Sequence, residues 1–121
     1  MTPAIGFDLI EIARLERALE RRPRLAERVF RPAELEFAAA RARPARHLAA
    51  RFAAKEAALK ALTIGGLGLR EVEVTGGGDS PPELRLHGRA AARARERGLA
   101  LSVSLTHSRE LAAAAVIASE R

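Results

Sequence analysis

Residues 99–106 alternate without a break, with Leu99, Leu101, Val103 and Leu105 on one parity and Ala100, Ser102, Ser104 and Thr106 on the other. A period of two over that length is a strand with one apolar face, and no helix presents it. The turn His107-Ser108-Arg109-Glu110 follows, and the small-residue run 111–118 returns beside it, which predicts an antiparallel hairpin. The chain must therefore build a sheet whose apolar face other elements cover.

Residues 4–10 read as a further strand, with Ile5, Phe7 and Leu9 on one side and Gly6, Asp8 and Ile10 on the other. From Glu11 the period changes: Ile12, Leu15 and Leu19 recur at helical spacing until Arg22-Pro23 ends the run, and Arg14, Arg17 and Arg21 line its solvent side. Pro32 opens a second helix carrying Glu34, Leu35 and Ala38, and Pro44 a third that reaches Leu62. In the first turn a proline's missing N–H leaves nothing unpaired. The glycine-rich stretch 63–68 ends that helix. Because it follows a helix and holds no Gly-Lys-Ser/Thr, it reads as a cap and turn and not as a phosphate cradle. Residues 70–75 alternate as a strand through Val72 and Val74, 76–82 form a loop, 83–87 a short strand, and 88–97 a helix closed by Gly98. The predicted class is α+β, a small, mostly antiparallel sheet packed with helices, in one domain spanning residues 1–121.

Apolar residues are 48% of the chain, but many are alanine, so the core has to come from the close approach of small side chains. The absence of cysteine excludes disulfides and thiolate metal sites. No basic leader with an apolar segment opens the chain, and no apolar run is long enough to span a bilayer, so a cytoplasmic protein without membrane contact is expected. The formal charge of +6 favours an anionic partner. A nucleic-acid-binding module is one alternative on that ground, although the interleaved aromatics of an RNA-binding sheet are missing. A non-catalytic assembly protein is a second.

Two lysines stand among 21 basic residues, Lys55 and Lys60, and both lie in RFAAKEAALKAL, either side of Glu56. On the third helix Leu48, Phe52, Leu59 and Leu62 form an apolar stripe with Lys55 in its middle, Glu56 at its edge and Lys60 a turn farther on. Glu56 and Lys60 fit a surface i,i+4 pair. Lys55 has to snorkel or find an anion, and Arg51 adds a cation on the same side. Asp8 sits inside a strand, where aspartate is disfavoured; it fits either the exposed face of an edge strand or a ligand position. His47 and His87 have no companions at zinc-ligand spacing, and His107 fits a partly packed strand-end histidine. Taken together, Asp8 and Glu56 supply the oxygen ligands Mg²⁺ accepts, and nearby lysines and arginines suit phosphate oxygens, the combination needed at a pyrophosphate.

GFDLIEIARL, RFAAKEAALKAL and SVSLTHSRELAAAAVI, in that order and spacing, resemble the holo-acyl-carrier-protein synthases, the short, single-domain 4′-phosphopantetheinyl transferases. The resemblance covers essentially the whole chain. It implies transfer of the phosphopantetheine arm of coenzyme A to a serine of apo acyl carrier protein, with adenosine 3′,5′-bisphosphate released. It further implies that Asp8 and Glu56 ligate Mg²⁺ and that Lys60 lies near the pyrophosphate. His107 would contact a coenzyme A phosphate, with Arg51 and Arg43 reaching coenzyme A from a neighbouring subunit of a homotrimer. Arg14, Arg17, Arg21 and Arg24 would dock the acidic carrier. For Lys55 a subunit contact or a coenzyme A contact is expected, and no catalytic role.

Overall fold

The protein is described by a computed structural model over residues 2–65 and 68–121. Strand β1 (Ala4–Glu11) leads into helix α1 (Ile12–Arg21), a short helix α2 (Leu25–Val29), α3 (Pro32–Ala39) and the long α4 (Pro44–Ala61). A 3-10 turn (Leu69–Glu71) precedes β2 (Val72–Gly77) and β3 (Ser80–Leu86); α5 (Gly88–Arg97), β4 (Leu99–His107) and β5 (Leu111–Glu120) complete the chain. The expected α+β class holds. Residues Gly66 and Leu67 of the glycine-rich turn lie outside the described residues.

The expected C-terminal hairpin forms, with Leu105 opposite Ala114; His107, expected in the turn, is still in the strand, opposite Ala112. Strand β5 is the middle of a three-stranded sheet ordered β1-β5-β4, with both pairings antiparallel; β2 and β3 pair separately. Helix α4 crosses the inner face of the larger sheet, where Ala53, Ala57 and Ala61 of the helix and Ala114 and Ala118 of β5 are buried. Alanine on alanine brings the two backbones close, so an alanine-rich chain gains contact through proximity instead of side-chain bulk. A second buried group, with Ile12, Leu15, Val29 and Phe30, fills the space between α1, α2 and the other side of α4.

Close approach is most demanding at Gly6. A Cβ there would lie 1.7 Å from the Ala57 carbonyl oxygen and 3.0 Å from the Ala61 amide nitrogen. Only a bare backbone fits, and this contact sets β1 directly on α4. Its consequence is an inverted strand face. Gly6, Asp8 and Ile10 point toward α4, whereas Ile5, Phe7 and Leu9 are 70%, 57% and 57% exposed.

Three expectations need correction. Helix α2 was not foreseen, because five residues between Pro23 and Pro32 are too few to show a period. The stretch 76–82 is less a loop than a hairpin: Gly76 and Gly77 belong to β2, and Ser80-Pro81-Pro82 belong to β3. Gly76, Gly77 and Gly78 all have positive φ, a register shift falls between Thr75 and Gly77, and prolines are tolerated because β3 is an edge strand. Residues 70–71 form the 3-10 turn and not the start of the strand. By contrast, Gly98 caps α5 in the left-handed conformation as expected, at φ +63°. Among the described residues no helix is long and apolar enough to cross a membrane.

Candidate active site

Asp8 and Glu56, far apart in sequence, line the same cavity of about 400 Å³, together with Arg14 and an apolar wall that includes Leu15, Phe30, Phe52 and Leu69. Because Gly6 seats β1 on α4, the next inward residue of the strand, Asp8, is presented to the helix beside Lys60. Lys60 Nζ lies 3.2 Å from Asp8 Oδ1 and donates to the Phe7 carbonyl at 2.9 Å. The edge-strand reading of Asp8 is therefore wrong in detail: β1 is an edge strand, but Asp8 faces inward, with 19% of its side chain exposed. The surface pair between Glu56 and Lys60 is replaced by the Lys60–Asp8 contact. Lys60 remains 55% exposed, so its ammonium can follow an incoming anion.

Burial raises the Glu56 carboxyl above its usual range, the negative charge of Asp8 adds to the rise, and Lys60 opposes it. A buried carboxyl made harder to ionise by a second carboxylate beside it belongs to a site that gains by taking up a cation. No group of three or more His, Cys, Asp or Glu side chains suited to a metal occurs among the described residues. The donor set fits Mg²⁺, which keeps water and takes one or two carboxylates plus substrate phosphate.

A folded pKa above the unfolded one means that ionised Glu56 costs the cation-free fold stability. The cost is absent below the unfolded value, grows as pH rises through it, and is complete above the folded value. Glu56→Gln should therefore raise Tm in EDTA at about pH 7.5 by on the order of a few degrees, and the gain should vanish near about pH 4. Thermal melts at the two pH values check this; an equal change at both would contradict it.

Lys55 is wholly buried, which contradicts both roles expected for it, a subunit contact or a coenzyme A contact. Its Nζ donates to Glu34 Oε1 at 2.7 Å and to the carbonyls of Leu69 at 3.2 Å and Val72 at 2.5 Å. Glu34, also 0% exposed, accepts the Arg31 amide at 2.9 Å and the Val74 amide at 3.0 Å. Burial pulls the Lys55 ammonium below the usual lysine range, while the Glu34 carboxylate beside it opposes the shift. The helical spacing revealed the need for an anion and not which residue meets it. A glutamate in the first turn after Arg31-Pro32 already looks explained by helix capping, so Glu34 carried no surplus signal.

Arg51 and His107 line a second cavity, of about 490 Å³, with Phe37, His47, Gly77 and Thr106. The guanidinium groups of Arg41 and Arg51 lie 3.6 and 4.0 Å from the Phe37 ring centre, and Arg51 Nη2 donates to the Gly76 carbonyl at 2.8 Å. Arg51 is 3% exposed, and its Nε is buried without a hydrogen-bond partner among the described residues. His47 stands edge-on to Phe37 at 5.8 Å and to His107 at 6.0 Å. Burial, then Arg46, His107, Arg41 and Arg51, hold the His47 pKa below the usual range, which favours a neutral ring in a cationic pocket. Phe37 and Arg41 went unnoticed in the sequence because nothing local marks them, and His47 was weighed only as a zinc ligand.

Arg43 lies elsewhere, in a depression with Glu11, Glu16, Arg109 and Glu110. Arg14, Arg17, Arg21 and Arg24 are all exposed, and Arg14 reaches the rim of the carboxylate cavity. The expected site residues thus fall into separate groups on one chain: Asp8, Glu56 and Lys60 together, Arg51 and His107 together, and Arg43 apart.

Residues 4–116 match the family model described as the 4′-phosphopantetheinyl transferase superfamily. A holo-[acyl-carrier-protein] synthase of Moorella thermoacetica is 50% identical over 116 residues, which are 93% of this chain and 90% of the relative. The ACPS-CoA complex of Chronobacterium ammoniagenes has a TM-score of 0.86 at 30% identity, covering 100% of this chain and 99% of that one. The holo-[acyl-carrier-protein] synthase of Helicobacter pylori in complex with coenzyme A has a TM-score of 0.81 at 28% identity, covering 95% and 99%. The chain belongs to the 4′-phosphopantetheinyl transferase superfamily and is an enzyme of its holo-[acyl-carrier-protein] synthase group.

Proposed function

We propose that the chain moves the 4′-phosphopantetheine arm of coenzyme A onto a serine of apo acyl carrier protein, releasing adenosine 3′,5′-bisphosphate, with Mg²⁺ held by Asp8 and Glu56. The observation that carries this reading is the shared cavity of the two carboxylates, with Lys60 at its edge. When bound there, Mg²⁺ supplies charge neutralisation at a diphosphate. The serine oxygen forms a bond to the β-phosphorus as the bond to the bridging oxygen breaks, and the electron pair leaves on adenosine bisphosphate. Lys60, exposed and held by one carboxylate oxygen and one carbonyl, turns its ammonium to that leaving charge. Glu56, in the same cavity, is the carboxylate we assign as acceptor of the serine proton. Arg14, Arg17, Arg21 and Arg24 present a positive face beside this cavity for the acidic carrier, an attraction that salt weakens.

The second cavity is the coenzyme A phosphate pocket in this reading. Its cationic lining, the orphan Arg51 Nε and His107 support it. The two half-sites line different cavities of one chain, and the outer sheet face exposes Ile5, Phe7, Leu9, Leu111 and Ile117. Covering that face with further copies, as a homotrimer, removes apolar area from water and lets one subunit's arginines meet another's carboxylates. Phe7→Asp should turn the assembly into monomers by light scattering and weaken coenzyme A binding at least about tenfold. A wild-type monomer with full activity would contradict this.

Intact-mass measurement tests the function itself. Incubated with coenzyme A, Mg²⁺ and apo acyl carrier protein, the enzyme should add one phosphopantetheine to the carrier, and EDTA should stop it. No mass gain, or undiminished gain in EDTA, would overturn the corresponding part of the proposal.

A further inference from the structure

Resting on the transfer reaction proposed above, we propose that Lys55 and Glu34 are positioning residues for the Asp8–Glu56 site: their buried pair fixes the rotation of α4 and seats Leu69 in the cavity wall. Successive residues on a helix are separated by about 100°. Glu56 is thus flanked by Lys55 on one side and Ala57 on the other. Ala57 is held by the close approach of Gly6, which prevents movement toward β1. On the opposite side Lys55 donates to Glu34, Leu69 and Val72, joining α4 to α3, the 3-10 turn and β2 in one set of bonds. Glu34 completes the set by accepting the Arg31 and Val74 amides. Glu56 sits between two clamps. Leu69, whose carbonyl takes one Lys55 hydrogen, lines the same cavity as Glu56.

An apolar side chain at position 55 would fill the space but would direct nothing. An ammonium with carboxylate and carbonyl acceptors in fixed directions holds one rotation of the helix. A small error in that rotation moves the Glu56 carboxylate relative to Asp8, and misplacement on the order of 1 Å costs about a hundredfold in rate. Neither Lys55 nor Glu34 lines the carboxylate cavity, so both act through Glu56 and Leu69.

The test compares kcat per folded molecule. Lys55→Met removes the ammonium, and the pair Glu34→Gln with Lys55→Met removes both charges while keeping an amide oxygen for the Val74 amide. Folded fraction is read from circular dichroism, in sucrose if the variants are unstable. The expected result is a kcat lower by about tenfold to a hundredfold at full folding, with KM for the carrier within about twofold. Calorimetric titration of Mg²⁺ into enzyme with coenzyme A should weaken by the same order.

Rescue separates direction from bulk. The chain has no cysteine, so Lys55→Cys can be alkylated with bromoethylamine in denaturant and refolded, restoring an ammonium at lysine's length. That protein should recover kcat to within about threefold of wild type. Folded Met variants with unchanged kcat, a loss confined to carrier KM, absence of rescue, or failure of both Met variants to fold even in sucrose would each overturn the positioning role. A wild-type enzyme that modifies no carrier would instead overturn the reaction on which it rests.

Discussion

Asp8→Ala or Glu56→Ala should lower the rate of carrier modification by at least about a thousandfold, the scale of losing a preorganised charge at a phosphoryl transfer centre. Each substitution removes one of the two carboxylates that share the cavity, and neither neighbour has an oxygen ligand to replace it, since no larger cluster of acidic or histidine side chains lies among the described residues. Folding should survive. The Asp8 charge works against Glu56, so removing either one relieves repulsion, and Tm should stay level or rise. For Asp8→Ala the freed Lys60 keeps its bond to the Phe7 carbonyl. The check is the initial rate of holo-carrier formation by intact mass at saturating coenzyme A and Mg²⁺, with a melt on the same sample. Activity within about tenfold of wild type in either variant would remove the paired-carboxylate mechanism.

The largest effect on stability is expected at Gly6. In Gly6→Ala the new methyl would fall 1.7 Å from the Ala57 carbonyl oxygen and 2.7 Å from its carbonyl carbon. Those atoms belong to the interior of α4 and cannot step aside as the end of a flexible side chain can. Overpacking costs about 1–3 kcal/mol and occasionally more, and backbone against backbone belongs at the upper end. For a domain of this size that is a fall in Tm on the order of 10 °C or more, or failure to fold. Gly65→Ala is the control, because a Cβ there meets nothing within 4 Å among the described residues. Urea unfolding of both variants decides it: equal midpoints would mean that β1 does not rest on α4 as described. Any folded Gly6→Ala protein should also lose activity, since Asp8 reaches the cavity only through that contact.

How much of this was legible in the sequence varies from residue to residue, and the reasons are physical. Periodicity located the β4–β5 hairpin and the strand-to-helix change at Glu11, because each is a local pattern with a buried and an exposed side. Asp8 and Glu56 could be paired only through chemical type and the family resemblance; what joins them in space is the bare backbone of Gly6, which reads in sequence as one more glycine. The two lysines of RFAAKEAALKAL proved to have different reasons for being lysine. Lys60 is a half-exposed, movable ammonium beside Asp8, whereas Lys55 is a buried donor whose three bonds go to one carboxylate and two carbonyls. A bulkier planar guanidinium would not reproduce the compact donor at either place. Glu34 was hidden because capping accounts for it locally. The sidedness of β1 was seen but not its sense: an apolar row of Ile5, Phe7 and Leu9 ordinarily marks the core, and here it faces outward, where the proposed assembly would cover it.

The central claim is that Asp8 and Glu56 jointly hold a divalent ion against the diphosphate of coenzyme A. Crystals grown with coenzyme A and Mn²⁺ in place of Mg²⁺ test it most directly, because manganese gives an anomalous signal. The expected result is one strong anomalous peak bounded by both carboxylates and the diphosphate oxygens, lost in crystals of Glu56→Ala. Coenzyme A bound with no manganese between residues 8 and 56, or manganese held elsewhere, would contradict it.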